Sequence, residues 1–354
     1  MRVVITAVCL AAICSEGSLL ATEPAAGAIF ADGAKLELLH QRTAKLTSGL
    51  TEGPAVAMDG TIYFTDIPFG PTEQGMILRY HPATGKITTF TATSGKSNGL
   101  QFDRQGFLIS CDGADGGGRR LIRWNVADGS SETLVDRIGG KRFNAPNDLA
   151  IDAKGRIYFT DPRYSGHEPR ELEHRAIYRR DPDGTIVEVT HDVEKPNGIT
   201  LSPDGRTMYV GDHNNGSDGL PGEEKPAAPG AMKVYAFPLN AEGMVHGERR
   251  TLVDFGTQAG CDGITVDING NIYLTCRSLQ KPGVMVINPQ GKELAFLPTG
   301  PTNQSGEFED WRGIPSNVEF GVGDDRHTLY VTIDKSLYRI TTVTEGFHHV
   351  LQGR

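Results

Sequence analysis

The sequence predicts an all-β protein: a six-bladed β-propeller with four-stranded blades. Three observations lead there. A segment of one plan recurs six times along the 354 residues, each copy reads as two short strands joined by a tight turn, and no stretch sustains a helical period with caps.

The copies are "TEGPAVAMDGTIYFTD", "SNGLQFDRQGFLISCD", "PNDLAIDAKGRIYFTD", "PNGITLSPDGRTMYVGD", "CDGITVDINGNIYLTC" and, more loosely, "PSNVEFGVGDDRHTLYVTID". Each opens on a polar residue, alternates through an apolar run, turns at a glycine and ends in a β-rich run. That is the pattern of an antiparallel hairpin. The opening residues Glu52, Asn98, Asn147, Asn197, Asp262 and Asn317 lie 46, 49, 50, 65 and 55 residues apart, a period that suits one blade per repeat.

Runs such as "MILRYHPATGKITTFT", "AIYRRDPDGTIVEVTH" and "VMVINPQGKELAFLP" lie between the hairpins and supply the two outer strands of each blade. After Asn317 the chain offers too little for a full blade. The N-terminal run "AKLELLHQRTAKL" is expected to complete it, closing the ring and removing the exposed sheet edge. A single domain over residues 22–354 is therefore expected, with its core at about 31–345. The longest spacing, 197 to 262, accommodates a Gly/Pro-rich insertion at 212–230, which reads equally as a lid or as a solvated loop.

Residues 1–21, "MRVVITAVCLAAICSEGSLLA", read as a secretory signal peptide, so export to a periplasmic or extracellular site is expected. No later run reaches the ~20 apolar residues of a membrane span. Beyond the signal, Cys111, Cys261 and Cys276 remain, without Cys-x-x-C spacing; one pair or three buried thiols are both open. With 35 Lys+Arg against 44 Asp+Glu the formal charge is −9, which argues against nucleic acid and for a small molecule or a cation as partner.

In a propeller the six opening residues precede the innermost strands and converge on the axis. All are oxygen donors, with no His or Cys among them. Two carboxylates with several carboxamides suit Ca²⁺ or a similar hard ion. Asn-Gly and Asp-Gly are also common turn dipeptides, so any single one is explained by turn chemistry; agreement across six copies is what favours a site. Asp66, Asp161 and Asp212, at the ends of second strands, read as braces of turns, and Asp148 as a neighbour supporting the site.

Taken together, "EGP" at 52–54, "RFNAPNDLAID" at 142–152, "FTDPRY" at 159–164, "KPNGI" at 195–199 and "CDGITVD" at 261–267 resemble the gluconolactonase, regucalcin and luciferin-regenerating family over roughly residues 40–345. The resemblance implies a six-bladed propeller holding one divalent cation, most often Ca²⁺, with Mg²⁺, Mn²⁺ or Zn²⁺ as alternatives. It implies Glu52, Asn147, Asn197 and Asp262 as metal ligands. Asn98 and Asn317 are then expected to face the pocket as substrate-binding groups, with Arg142 beside them. Where many relatives have a Glu-His-Gly stretch this chain reads "SCDGADGGGRR" at 110–120, which bears on substrate identity.

The expected activity is hydrolysis of a sugar lactone, with Asp262 as ligand and general base. His213, Arg163 and Tyr164 are candidates for the pocket and its rim. An esterase or phosphotriesterase on the same metal site, or a non-enzymatic binding propeller, are the alternatives. The chain has no Gly-x-Ser-x-Gly elbow, Walker motif or dinucleotide fingerprint.

Overall fold

The computed structural model describes residues 29–42, 49–218, 228–300 and 312–352. The expected signal peptide lies outside them, as do residues 219–227 of the insertion at 212–230. Six four-stranded antiparallel sheets follow one another along the chain, as the repeat predicts. The first blade comprises Leu50–Val56, Ile62–Ile67, Met76–His81 and Lys86–Thr91. The next four occupy residues 97–135, 149–190, 196–254 and 261–298.

The sixth blade takes Pro315–Phe320, Thr328–Ile333 and Ser336–Thr341 from the C-terminal end, and Glu37–Gln41 from the N-terminal end as its outermost strand. Closure by a strand from the other end leaves the ring without a blade that could peel away alone. The packed body extends past 31–345 at both ends, because Ile29 is buried in the cluster of the fifth and sixth blades and Val350 in that of the second and third. A short hairpin, Arg137–Ile138 with Lys141–Arg142, joins the second and third blades.

Three devices in the repeat build the centre. The first is a bulge: in five of the inner strands the ladder shifts register at the opening residue, between Glu52 and Ala55, Ser97 and Leu100, Pro196 and Ile199, Cys261 and Ile264, and Pro315 and Asn317. A bulge re-aims a side chain away from the pleat. The second is the glycine that follows, which lets adjacent inner strands touch. A Cβ on Gly53 would sit 2.2 Å from the Asn98 carbonyl oxygen, and one on Gly198 would sit 2.0 Å from that of Asp262.

The third is a pair of pegs. Thr65, Thr160 and Thr275 donate to the carbonyls of Asn98, Asn197 and Ser316 in the following blade, at 3.1, 2.7 and 3.0 Å. Asp161 accepts the N–H groups of Asn144 and Ala145 (2.7 and 2.6 Å), and Asp212 those of Glu194 and Lys195 (2.8 and 2.7 Å). Each buried carboxylate thus fixes the chain two or three residues before an opening Asn. Asp66 instead pairs with Arg42, next to the closing strand. Cys111, Cys261 and Cys276 are buried free thiols.

Candidate active site

Glu52, Asn98, Asn147, Asn197 and Asp262 line one cavity of ≈ 420 Å³ at the end of the channel where the inner strands begin. Four blades deliver the expected metal ligands: Glu52 from the first, Asn147 from the third, Asn197 from the fourth and Asp262 from the fifth. Asn98, from the second, completes the arc.

Asn317 lies elsewhere. It lines a small cavity on the far side of these donors, together with Asp148, Glu319 and His349. The repeat alignment is one residue out in the sixth blade. Thr275 bonds the carbonyl of Ser316 as Thr65 and Thr160 bond those of Asn98 and Asn197, so Ser316 is the true counterpart. Asn317 sits where Gly198 and Gly263 sit, and a one-residue slip turns a strand side chain to the opposite face. Its amide supports Asp148. Ser316 donates to the Thr51 carbonyl at 2.6 Å and ties the sixth blade to the first.

Arg142 is also placed away from the cavity. Its guanidinium donates to the Gly118 carbonyl, and its backbone N–H to Glu171 at 2.9 Å, so it braces the loops between the second and third blades. Arg163 is fully buried and donates to the carbonyls of Gly166 and Glu168. Tyr164 and His213 do line the cavity. The Asn197 amide donates to Tyr164 Oη at 3.1 Å, and Tyr164 Oη donates to the His213 carbonyl at 3.0 Å.

The electrostatics centre on two acids. Burial, and then the facing Asp262, push the Glu52 carboxyl well above its usual range. Burial raises Asp262 as well, opposed by Arg277, Asn197 and a hydrogen bond with Glu52 itself. Both carboxyls are thus held above their usual range by the same burial, and each raises the cost of ionising the other. Asp148 beneath them is pushed up to about 7, mainly by burial. Burial, with Arg277, lowers His213 to about 4, so its imidazole is neutral at pH 7.

Arg277 was not anticipated. Its Nη1 donates to Asp262 Oδ2, and Asp262 with Glu52 outweighs the burial that opposes its charge. The signal was available: Ile67, His213 and Arg277 each directly follow the last residue of a repeat copy, Asp66, Asp212 and Cys276, and all three line the cavity. Among the described residues no three His, Cys, Asp or Glu side chains cluster as a metal site. Two carboxylates with carboxamide oxygens are nonetheless a hard-ion donor set.

Fold and site together define a six-bladed propeller with an acidic, carboxamide-lined centre over its channel. The chain belongs to the SMP-30/gluconolactonase/LRE-like family, whose model matches residues 50–335. It is 25% identical over 319 residues to the gluconolactonase of Zymomonas mobilis, covering 84% of this chain and 79% of that one. It is 28% identical over 290 residues to a pentonolactonase of Haloferax volcanii, covering 80% and 81%. A solved gluconolactonase structure from Xanthomonas campestris superposes with a TM-score of 0.70 at 27% identity, covering 89% of this chain and 92% of that one.

Proposed function

We propose that this protein is a divalent-cation-dependent hydrolase that opens a sugar lactone. The observation that carries the reading is the meeting of Glu52 and Asp262, buried acids from the first and fifth blades, with the Asn147 and Asn197 carboxamides in one cavity. Lactone hydrolysis is the activity named for the relatives that match most of this chain.

Glu52, Asn147, Asn197 and Asp262 would hold the ion, with Ca²⁺ favoured by the all-oxygen donors. When bound, such an ion supplies Lewis acidity to a lactone carbonyl and acidifies a water. The rest is done by the chain. Arg277 fixes the Asp262 carboxylate in orientation, and Asp262 accepts the proton of the water that attacks the carbonyl. Breaking the acyl carbon–oxygen bond then opens the ring, and that proton passes to the departing oxygen, giving a hydroxy acid. The carboxylic acid then loses its own proton to solvent, and the resulting carboxylate lies beside Arg277, a cation on the cavity wall.

A panel of sugar lactones, aryl esters and organophosphates, assayed in Ca²⁺ and in EDTA, tests this reading. Lactone turnover that is lost in EDTA and in Asp262→Asn supports it. Preference for aryl esters or organophosphates, or turnover indifferent to EDTA, overturns it.

A further inference from the structure

The cavity has two unlike walls. Arg277, His213, Asn215 and Tyr164 form the polar one, while Leu50, Ile67, Pro68 and Phe69 of the first blade form an apolar stretch of the other, with Lys96 and Asp115 of the second blade in the lining beside Gly70. A bare sugar lactone carries hydroxyls around its ring, and the apolar wall offers it no hydrogen-bond partner from these side chains. Phe69 is 54% exposed, one of five large exposed apolar side chains among the described residues and the one of them that lines this cavity.

Its position is held rather than accidental. The residue after it, Gly70, donates its N–H to Asp115 Oδ2 at 3.0 Å and accepts from the Lys96 ammonium at its carbonyl. Lys96 is itself buried and pairs with Asp115 at 3.4 Å, so both polar groups of Gly70 are fixed by the second blade. The following loop packs on the same neighbour, where a Cβ on Gly116 would lie 2.4 Å from the Pro71 carbonyl oxygen. Two blades therefore cooperate to hold an aromatic ring at the mouth of the site. The volume, ≈ 420 Å³, falls within the range of roughly 300–1,000 Å³ typical of pockets that take drug-sized ligands, more than a bare six-carbon lactone needs.

We propose that the first-blade wall is a subsite for an apolar arm: the substrate is a lactone bearing an alkyl or aryl substituent, its carbonyl over the oxygen donors and its arm against Phe69. This rests on the lactone hydrolase reading and departs from its sugar-lactone part, since the subsite favours a lactone with an apolar arm over a bare sugar lactone. Burial of apolar surface drives such binding without requiring directional partners.

The test compares kcat/KM for gluconolactone, δ-decanolactone and a phenyl-substituted δ-lactone, in the wild type, Phe69→Ser and Phe69→Leu, all in Ca²⁺. The wild type is expected to prefer the substituted lactones. Phe69→Ser should lower their kcat/KM, through KM, about tenfold more than that of gluconolactone, a change of the size expected for lost apolar pocket contacts. Phe69→Leu should recover most of the difference. Urea midpoints of the variants confirm that the fold is retained, as expected for a half-exposed side chain. A wild type that prefers gluconolactone, or a Phe69→Ser that lowers every lactone equally, overturns the subsite while leaving the hydrolase reading intact. Turnover of none of the lactones overturns both.

Discussion

Arg277→Gln isolates the pair on which the site's electrostatics turn. The substitution takes the guanidinium from Asp262 and leaves two buried acids facing each other without a protein cation. Removing one partner of a buried ion pair costs about 3–5 kcal/mol. Here the Arg277 side chain is 25% exposed and that of Asp262 9%, so water offsets part of the loss. A destabilisation of about 2 kcal/mol in EDTA is expected, after discounting for screening. With roughly 2–4 °C per kcal/mol for chains of 150–250 residues, that is a fall in Tm of about 4–8 °C, and less for a chain of this size. Ca²⁺ should narrow the gap, because an ion supplies the missing counter-charge and stabilises the native state by mass action. The variant should also reach half-saturation at lower Ca²⁺, having lost a competing positive charge, while kcat falls more than KM changes. Urea unfolding in EDTA and across a Ca²⁺ series measures the stability, and initial rates on a lactone measure the rest. Wild-type stability in EDTA together with an unshifted Ca²⁺ midpoint would refute the reasoning.

Three further predictions follow from the same geometry. Asn197→Ala should abolish stabilisation by Ca²⁺, while Tyr164→Phe, which removes the acceptor of the Asn197 amide and the donor to the His213 carbonyl, should weaken Ca²⁺ binding about tenfold, the lower end for an outer partner; calorimetric titration compares them. Gly198→Ala places a Cβ 2.0 Å from the Asp262 carbonyl oxygen and should cost about 1–3 kcal/mol as well as weakening Ca²⁺ binding, read by urea unfolding with and without the ion. Asp112 is buried behind Ser97, Ser110 and Arg120, and burial raises its carboxyl to about 7, against about 3.9 in an unfolded chain. The native state then holds the proton more tightly, so this group's contribution to stability falls as pH rises from about 4 to 7 and levels off above. Asp112→Asn, neutral throughout, should flatten that part of the pH dependence of unfolding; parallel slopes for the two proteins would count against it.

Much of this was legible in the sequence because a repeat multiplies weak signals. One Asn-Gly is a turn residue as easily as a ligand, yet the agreement of "EGP", "SNG", "PND", "PNG" and "CDG" located the centre. The glycines were there to be read too, though their cause is contact between neighbouring inner strands rather than a hairpin turn. The sixth blade was misaligned because Asn317 matches the expected residue type, whereas Pro315, aligned with Pro196, carries the register and leaves Ser316 at the opening. Arg142 follows the same pattern of error: a cation near the "PND" motif in sequence is drawn off by Glu171 and Gly118 in space. Register marks the place of Arg277 just past the end of a repeat copy, but its partnership with Asp262, 15 residues away across a hairpin, is created by strand pairing and is not recorded in composition.

The central claim is that Glu52, Asn147, Asn197 and Asp262 grip one hard cation. A crystal structure of the protein grown in Ca²⁺, with anomalous scattering used to place the ion, tests it directly. The account predicts a single peak coordinated by oxygens of those four side chains. A cavity without a cation at saturating Ca²⁺, with Glu52 and Asp262 still hydrogen-bonded to each other, would contradict it.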